Sequence, residues 1–216
     1  MRDMPAQTVI EGLSWVYDRL LHQKRDASAM VNEDAADTAI RWAAAQAGLV
    51  GFTTGLGGAF TLPISLPMNV AGVSAIQIHM VQEVARARGY DLRSAQVRTL
   101  TIGCLAGGAV LDALKTAGIG AGTTLTRTLL LQLSGAALKT VNRTVGAKLA
   151  ARAGLLNVGK FVPVVGGLIG GAVDGLSTAA IGAVAKRVFV RDAGDPPVPR
   201  PAIPPAPDLP LLEHVT

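Results

Sequence analysis

The chain has 216 residues, of which 50% are hydrophobic and only 16% are charged, and its formal net charge is +5. This composition, with a mean hydropathy of +0.39, excludes wholesale disorder and is unusually apolar for a protein surrounded only by water. The single cysteine, Cys104, excludes an intramolecular disulfide and any metal site built from several cysteines.

The first predicted helix is amphipathic. From about residue 8 to residue 23, apolar side chains recur at helical spacing, with Glu11 and Asp18 on the opposite face. Acidic groups also interrupt residues 1–25, so we expect no secretory signal there and a protein that stays on the cytoplasmic side of any membrane it meets. A second helix is predicted to begin at the N-cap Asn32 and to run toward residue 48.

Glycines and prolines predict an interruption after the second helix. Residues 51–58 hold four glycines, and Pro63 and Pro67 follow, so a helix is not expected to pass undistorted through this segment. The helical pattern resumes at about residue 68 and stops at Gly89, a residue type typical of helix C-termini.

Three more helices are predicted in the second half of the chain. Asp91 or Ser94 begins one that runs to about residue 115, and the next two cover about residues 123–153 and 163–190. Eight of the twelve prolines lie in residues 196–210, which predicts an extended or disordered tail.

The predicted fold class is therefore all-α, a compact bundle of Gly/Ala-rich, closely packed apolar helices followed by a disordered Pro-rich tail. We expect an N-terminal amphipathic helix in residues 1–30, a helical domain in residues 31–191 and the tail in residues 192–216.

Two apolar segments raise the question of a membrane. Residues 42–82 contain no Asp, Glu, Lys or Arg, and residues 164–185 contain only Asp174 before Lys186 and Arg187 follow. A spanning helix needs about 20 apolar residues, and basic residues after such a run are typical of a cytoplasmic anchor. A short re-entrant hairpin would fit the first segment. The alternative interpretation of both segments is the buried core of a helical domain.

Small residues recur every four positions in the last predicted helix. This ridge comprises Gly167, Gly171, Gly175, Ala179 and Ala183, and its GxxxG spacing allows two helix backbones to approach closely. The ridge predicts an intimate helix contact, either within the chain or between two copies in a homo-oligomer.

Several segments resemble the EcsC family of bacteria. They are GFTTGLGGAFTLPISLP with Pro63 and Pro67, AIQIHMVQEVARARGYDL, FVPVVGGLIGGAVDG and VAKRVF, which together span about residues 40–191. The resemblance implies a bacterial, membrane-linked helical protein, and an ABC transporter as a partner, without a settled biochemical activity. Family members often carry Asp after the second proline, where this chain has Asn69.

Few residues are candidates for chemistry. Asp174 would be costly as an ionised carboxylate in an apolar helix, so it either lines a polar cavity or accepts hydrogen bonds from a neighbouring helix. His79 and Glu83 lie four apart and could share a proton or a metal ion, although a local hydrogen bond is the simpler interpretation. The glycine stretch lacks the lysine and hydroxyl of a phosphate-binding loop. We expect no catalytic residue, metal or cofactor.

Charge is distributed unevenly along the chain. Residues 83–191 carry fourteen basic and four acidic groups, whereas residues 1–41 and 192–216 are net acidic. A basic body suits anionic lipid headgroups, and the scarcity of aromatics argues against nucleic acid. The candidate headgroup ligands are Arg86, Arg88, Arg93, Arg98, Lys186, Arg187 and Arg191.

The sequence thus favours a non-enzymatic protein at the cytoplasmic side of the cell membrane, peripheral or partly embedded, that binds lipid or a membrane-protein partner. Two alternatives remain open. One is a hydrolase of a lipid-like substrate that uses Asp174 as acid or base. The other is a soluble cytoplasmic carrier of an apolar ligand.

Overall fold

The computed structural model describes residues 6–22, 33–56, 58–119, 125–155 and 165–191. This part of the chain forms eight helices and no strand, which confirms the all-α prediction. The predicted tail lies outside the described residues. The helices are α1 (Ala6–Leu21), α2 (Glu33–Leu56), α3 (Gly58–Ala87), α4 (Ala95–Cys104), α5 (Ala109–Thr116), α6 (Arg127–Leu131), α7 (Gly135–Leu155) and α8 (Val165–Val188).

The closest helix pair is formed by α2 and α8, which run antiparallel. A Cβ atom placed on Gly171 would lie 2.8 Å from the carbonyl oxygen of Gly48, and one on Gly175 would lie 3.2 Å from that of Ala44. A Cβ on Gly51 would lie 2.7 Å from the carbonyl oxygen of Gly170. The predicted ridge therefore makes its contact within the chain at Gly171 and Gly175, where the absence of side chains permits it. Ala183, at the end of the predicted ridge, is exposed instead.

The core lies between this pair and the remaining helices. α4 is buried over most of its length and contacts α1, α3, α5, α6, α7 and α8. α3 contacts α1, α2, α4 and α8, whereas α1 and α7 make no substantial packing contact with α2 or α8. α3 and α4 therefore separate the α2–α8 pair from α1 and α7.

α1 is anchored by one buried aromatic side chain. The Tyr17 hydroxyl donates to the carbonyl of Leu92 at 2.6 Å, and Gln82 Nε2 donates to the carbonyl of Tyr17 at 3.3 Å. Tyr17 is only 1% exposed and packs with Ile78 and Leu105. Burial raises the pKa of Tyr17 to about 12, because the phenolate would lose its hydration.

Two predicted helix ends are confirmed by the backbone. Ser94 is the N-cap of α4, where its Oγ accepts from the N–H of Val97 at 3.2 Å. Gly89 ends α3 with φ +75°, and the N–H of Tyr90 bonds back to the carbonyl of Ala85 at 3.0 Å, which is the Schellman arrangement.

Other predicted boundaries are wrong. α2 continues to Leu56 and α3 begins at Gly58, so the helical backbone runs through Pro63 and Pro67, where the sequence predicts a long interruption. An interior proline costs about 3 kcal/mol in an isolated helix, and tertiary packing against a neighbour is what commonly outweighs such a propensity. α3 as a whole packs against α1, α2, α4 and α8.

The second half of the chain is more divided than predicted. The helix expected to run to about residue 115 is split into α4 and α5 by a turn in which Gly107 has φ +65°. The helix expected over residues 123–153 is divided into the short α6, which ends at Leu131, and α7, which begins at Gly135. A left-handed residue cannot continue an α-helix, so the Gly107 conformation accounts for the first division.

We expect Gly171→Leu to destabilise the protein. The new side chain would collide with the backbone of α2, and overpacking typically costs about 1–3 kcal/mol, which corresponds to a Tm lower by roughly 3–10 °C in a domain of this size. The control is Gly12→Leu on α1, where a Cβ atom would meet nothing within 4 Å. An unchanged Tm for the Gly171 variant would refute the close packing of α2 and α8.

A second expected result concerns Tyr17. In the unfolded chain the phenol has its ordinary pKa of 10.0, and in the folded protein its pKa is about 12, so the unfolded state binds fewer protons between these pH values. The stability contributed by Tyr17 should therefore decline as pH rises from about 10 to about 12. Urea titrations of wild type and Tyr17→Phe should show the wild-type advantage shrinking over this window. A constant difference would contradict the burial of the phenol.

Candidate functional site

Large apolar side chains are exposed on the sides of α2 and α8 that face away from the core. Six of them are between 48% and 72% exposed, and on α8 the intervening Ala172, Ala180 and Ala183 are also exposed. We call this surface the α2–α8 face, and its large members are Trp42, Leu49, Leu168, Ile169, Val173 and Leu176.

The α2–α8 face is a consequence of the glycine packing. The glycines at positions 48, 51, 170, 171 and 175 lie in the contact between the two helices. Ala43, Ala47, Ile181 and Ala185 are buried on the side of the core. On a helical wheel the only direction left is the one away from α3, and the large side chains of both helices point there. A contiguous exposed apolar patch usually marks a site of contact with a partner or a membrane.

One described segment is long and apolar enough to cross a membrane. It is Leu168–Val188, 21 residues with a mean hydropathy of 1.5, and 33% of it is buried within the fold. Only its length and composition point to a membrane, and buried helices of water-soluble proteins meet the same criterion.

Asp174 lies at the contact between α8 and α2. Its Oδ2 lies directly against the position that a Cβ atom on Gly51 would take. The Thr178 hydroxyl donates to the backbone carbonyl of Asp174 at 2.7 Å, and Gln77 Nε2 of α3 donates to the Thr178 hydroxyl at 3.1 Å. A buried polar chain thus connects α3 to α8 next to this carboxylate, which points toward α2 and not toward the α2–α8 face.

His79 and Glu83 are brought together with Arg86 on one face of α3. Arg86 Nη1 donates to Glu83 Oε1 at 2.5 Å, and His79 Nδ1 lies 3.8 Å from the same oxygen. Among the described residues no group of three or more His, Cys, Asp or Glu side chains could hold a metal ion. The side chain of Asn69, which belongs to α3, lies outside the described residues, as do the surroundings of Gly167.

Cys104 lies at the end of α4 and is fully buried. Burial raises the pKa of its thiol far above the ordinary value, because the thiolate would lose its hydration. The side chain is therefore suited to packing and not to nucleophilic chemistry.

Four of the seven candidate headgroup ligands make specific contacts within the protein. Arg86 pairs with Glu83, and Arg98 Nη2 binds Asp18 Oδ2 at 2.5 Å, which ties α4 to α1. Lys186 Nζ binds Asp37 Oδ1 at 2.7 Å and ties α8 to α2. This hydrogen bond lowers the pKa of Asp37 below its ordinary value.

Arg88 has a structural position at the C-terminal end of α8. Its Nη1 donates to the carbonyls of Lys186 and Phe189 at 3.1 and 2.9 Å, which supplies donors to carbonyls that have no partner within the helix. Tyr90 assists, since its hydroxyl donates to the carbonyl of Val190 at 2.7 Å and its ring packs edge-on against that of Phe189. The guanidinium of Arg127 lies 5.2 Å from the centre of the Tyr90 ring.

The other three candidates, Arg93, Arg187 and Arg191, are exposed. Sequence reasoning missed a further cation, Arg41, which is exposed at the start of the α2–α8 face, next to Trp42. The signal that could have revealed it is the helical wheel of α2, on which the exposed positions recur at residues 38, 41, 42, 45 and 49.

The α2–α8 face therefore has two unlike ends. Arg41, Asp37, Lys186 and Arg187 lie at the end where α2 begins and α8 finishes, and the described remainder of the face carries only uncharged side chains.

Comparison with known proteins supplies one result. The family model of the EcsC protein family matches residues 3–191, so the match includes α1 as well as the later helices. Comparisons with curated proteins and with solved structures found no match.

The polar chain at Asp174 leads to a stability prediction. Thr178→Val removes the hydroxyl to which the buried Gln77 amide donates. A buried polar group left without a partner lowers the free energy of unfolding by about 1–3 kcal/mol. Thr116→Val is the matched control, because the exposed Thr116 hydroxyl also donates to the carbonyl four residues earlier but no second helix bonds it. Urea denaturation should show destabilisation for Thr178→Val alone. Equal effects would mean that the bond between α3 and α8 contributes nothing.

Proposed function

The chain belongs to the EcsC protein family, and from this premise we propose that it is a non-enzymatic, membrane-associated helical protein. The α2–α8 face binds the lipid bilayer, and basic residues at its border contact the headgroups. The single observation that carries the proposal is the alignment of six large, exposed apolar side chains on one surface of two closely packed helices.

The size of the α2–α8 face favours reversible binding. Burying the exposed parts of six large apolar side chains in lipid is worth roughly 1 kcal/mol each, or about 6 kcal/mol in total. This is comparable to one myristoyl chain, which by itself gives only marginal membrane association. A second contribution is therefore needed for stable binding, and electrostatic attraction to anionic lipid is the usual one.

The layered fold supports a defined orientation. α3 and α4 lie between the α2–α8 pair and α1 with α7, so a bilayer in contact with the α2–α8 face would leave α1 and α7 on the far side. As part of the same proposal, the membrane is bacterial and the bound surface is its cytoplasmic one, which attracts basic proteins through anionic lipids. A membrane-protein partner such as an ABC transporter would approach the same face.

The position of the ionisable groups favours this proposal over a lipid hydrolase. Asp174 packs against α2 beside Gly51, away from the surface that lipid would contact. Cys104 is buried in α4 with a raised thiol pKa. Neither is placed to attack a substrate held on the α2–α8 face, since a catalytic group must lie within hydrogen-bond reach of the reacting atoms.

The two tryptophans allow a direct test. Trp42 lies on the α2–α8 face and Trp15 on α1, and they are 67% and 68% exposed. Trp15→Phe leaves Trp42 as the single tryptophan, and its fluorescence should shift to the blue and be quenched by vesicles of brominated phosphatidylcholine and phosphatidylglycerol. Trp42→Phe leaves Trp15, whose fluorescence should change little in the same vesicles.

A third variant controls for the apolar contact. Leu176→Glu places a charge in the middle of the α2–α8 face, where burial of that charge in lipid is costly, so it should abolish quenching of Trp42. Thr144→Glu, at an exposed position of α7, makes a similar charge change and should have no effect. The proposal would be refuted if the vesicles quenched Trp15 in place of Trp42. It would also be refuted if the protein stayed in the supernatant when the vesicles were sedimented.

A further inference from the structure

We propose that Arg41 and Arg187 together bind the phosphate of an anionic phospholipid at one end of the α2–α8 face. This inference rests on the proposed function and specifies which lipid the surface selects. It also implies that the protein sits tilted, with the arginine end at the headgroups and the opposite end of the face deeper in the apolar layer.

The register of the two helices places these arginines at the same end of the pair, about five residues or roughly 8 Å apart along the helix axes. Lys186 binds Asp37, and a Cβ on Gly182 would lie 2.7 Å from Ile40 Cγ1, so residues 37–41 of α2 run alongside residues 182–187 of α8. Arg41 lies one turn from Asp37, and Arg187 follows Lys186 directly. Because the glycine contacts hold the backbones unusually close, two long side chains on adjacent helices can reach one phosphate.

Neither arginine forms an ion pair with a carboxylate among the described residues, although the charge of Arg41 contributes to the lowered pKa of Asp37. Within that part of the chain the Arg41 side chain makes one long hydrogen bond, 3.4 Å from Nη2 to Thr38 Oγ1, and Arg187 is exposed without an ion pair among the described residues. The nearby carboxylate of Asp37 is occupied by Lys186. The Asp37 carboxylate and the three cations Arg41, Lys186 and Arg187 together carry a net positive charge.

Competition from within the protein distinguishes these two arginines from Arg86, Arg88 and Arg98. Arg86 and Arg98 each contact a carboxylate, and Arg88 donates to the end of α8. A cation held by such bonds would have to break them to bind phosphate. Arg41 and Arg187 have planar donor groups with most of their hydrogen atoms still available, and this geometry suits bidentate phosphate binding.

The position of the pair along the face explains the tilt. Leu168 lies 19 residues before Arg187, or about 28 Å at the rise of an α-helix, and the described face between them carries no charged side chain. Trp42, adjacent to Arg41, is of the residue type that prefers the boundary between headgroups and hydrocarbon. The charged residues and Trp42 lie at one end of the face, and leucine and isoleucine lie at the other. This distribution favours an orientation in which the second end lies deeper in the bilayer than the first.

The test compares two doubly substituted proteins with equal net charge. Arg41→Gln with Arg187→Gln removes the proposed site. Lys139→Gln with Arg143→Gln removes two exposed cations from α7, which does not pack on α2 or α8. Binding is measured by co-sedimentation with vesicles of phosphatidylcholine alone and with vesicles of equal parts phosphatidylcholine and phosphatidylglycerol.

We expect the wild type to prefer the anionic vesicles, and this preference to weaken as salt is raised. The Arg41/Arg187 variant should lose roughly 30-fold in affinity for anionic vesicles, or about 2 kcal/mol for two basic residues near the surface, and little for phosphatidylcholine. The α7 variant should bind as the wild type does. Arg41→Lys with Arg187→Lys should keep only part of the preference, since it retains both charges but loses the planar donor groups of the guanidinium.

Failure of the inference differs from failure of the proposed function. If Trp42 is quenched by lipid in every variant but the two double variants bind alike, the inference is wrong and the proposed function stands. An equal affinity of the wild type for both vesicles, or a larger loss in the α7 variant, also overturns the inference. Binding to neither vesicle, with Trp42 unaffected, overturns both.

Discussion

The approach of α2 to α8 without intervening side chains is the constraint on which the rest of the structure depends. At Gly48, Gly51, Gly170 and Gly171 the two backbones come so near that a single Cβ atom would meet a carbonyl oxygen at 3.2 Å or less. Large side chains on these helices cannot lie between them, so they must face the core or the outside. The exposed apolar surface and the close packing are two consequences of the same arrangement.

The cations of this protein divide into two groups by what they contact. One group joins helices that are distant in sequence: Arg88 binds the end of α8, and Arg98 and Lys186 bind carboxylates on other helices. Such groups are poor ligands for a membrane because their donors are occupied. A count of basic residues therefore overstates the charge available for binding, and Arg41 and Arg187, which form no ion pair among the described residues, are the groups that we propose hold an anion.

Two weak interactions together suit a protein that associates reversibly with a membrane. The apolar face alone is comparable to one acyl chain, and each basic group near an anionic surface adds about 1 kcal/mol. Neither term approaches the insertion energy of a spanning helix, although Leu168–Val188 has the length of one. Buried contacts of α8 with α2, α3 and α4 would be lost if that helix left the fold to span a bilayer alone.

By itself the sequence determined the helical class, the helix ends at Gly89 and Ser94, and the close contact of the glycine ridge, because local backbone chemistry and residue periodicity specify these features. It misplaced the boundary near residues 57–67, where the helical backbone continues through two prolines despite their cost in an isolated helix. Only the tertiary structure decided that the ridge pairs with α2, that Asp174 points toward Gly51, and which arginines remain available. The first two features depend on contacts between residues more than a hundred positions apart, and the third depends on the choice among several possible ionic partners. Neither periodicity nor composition contains that information.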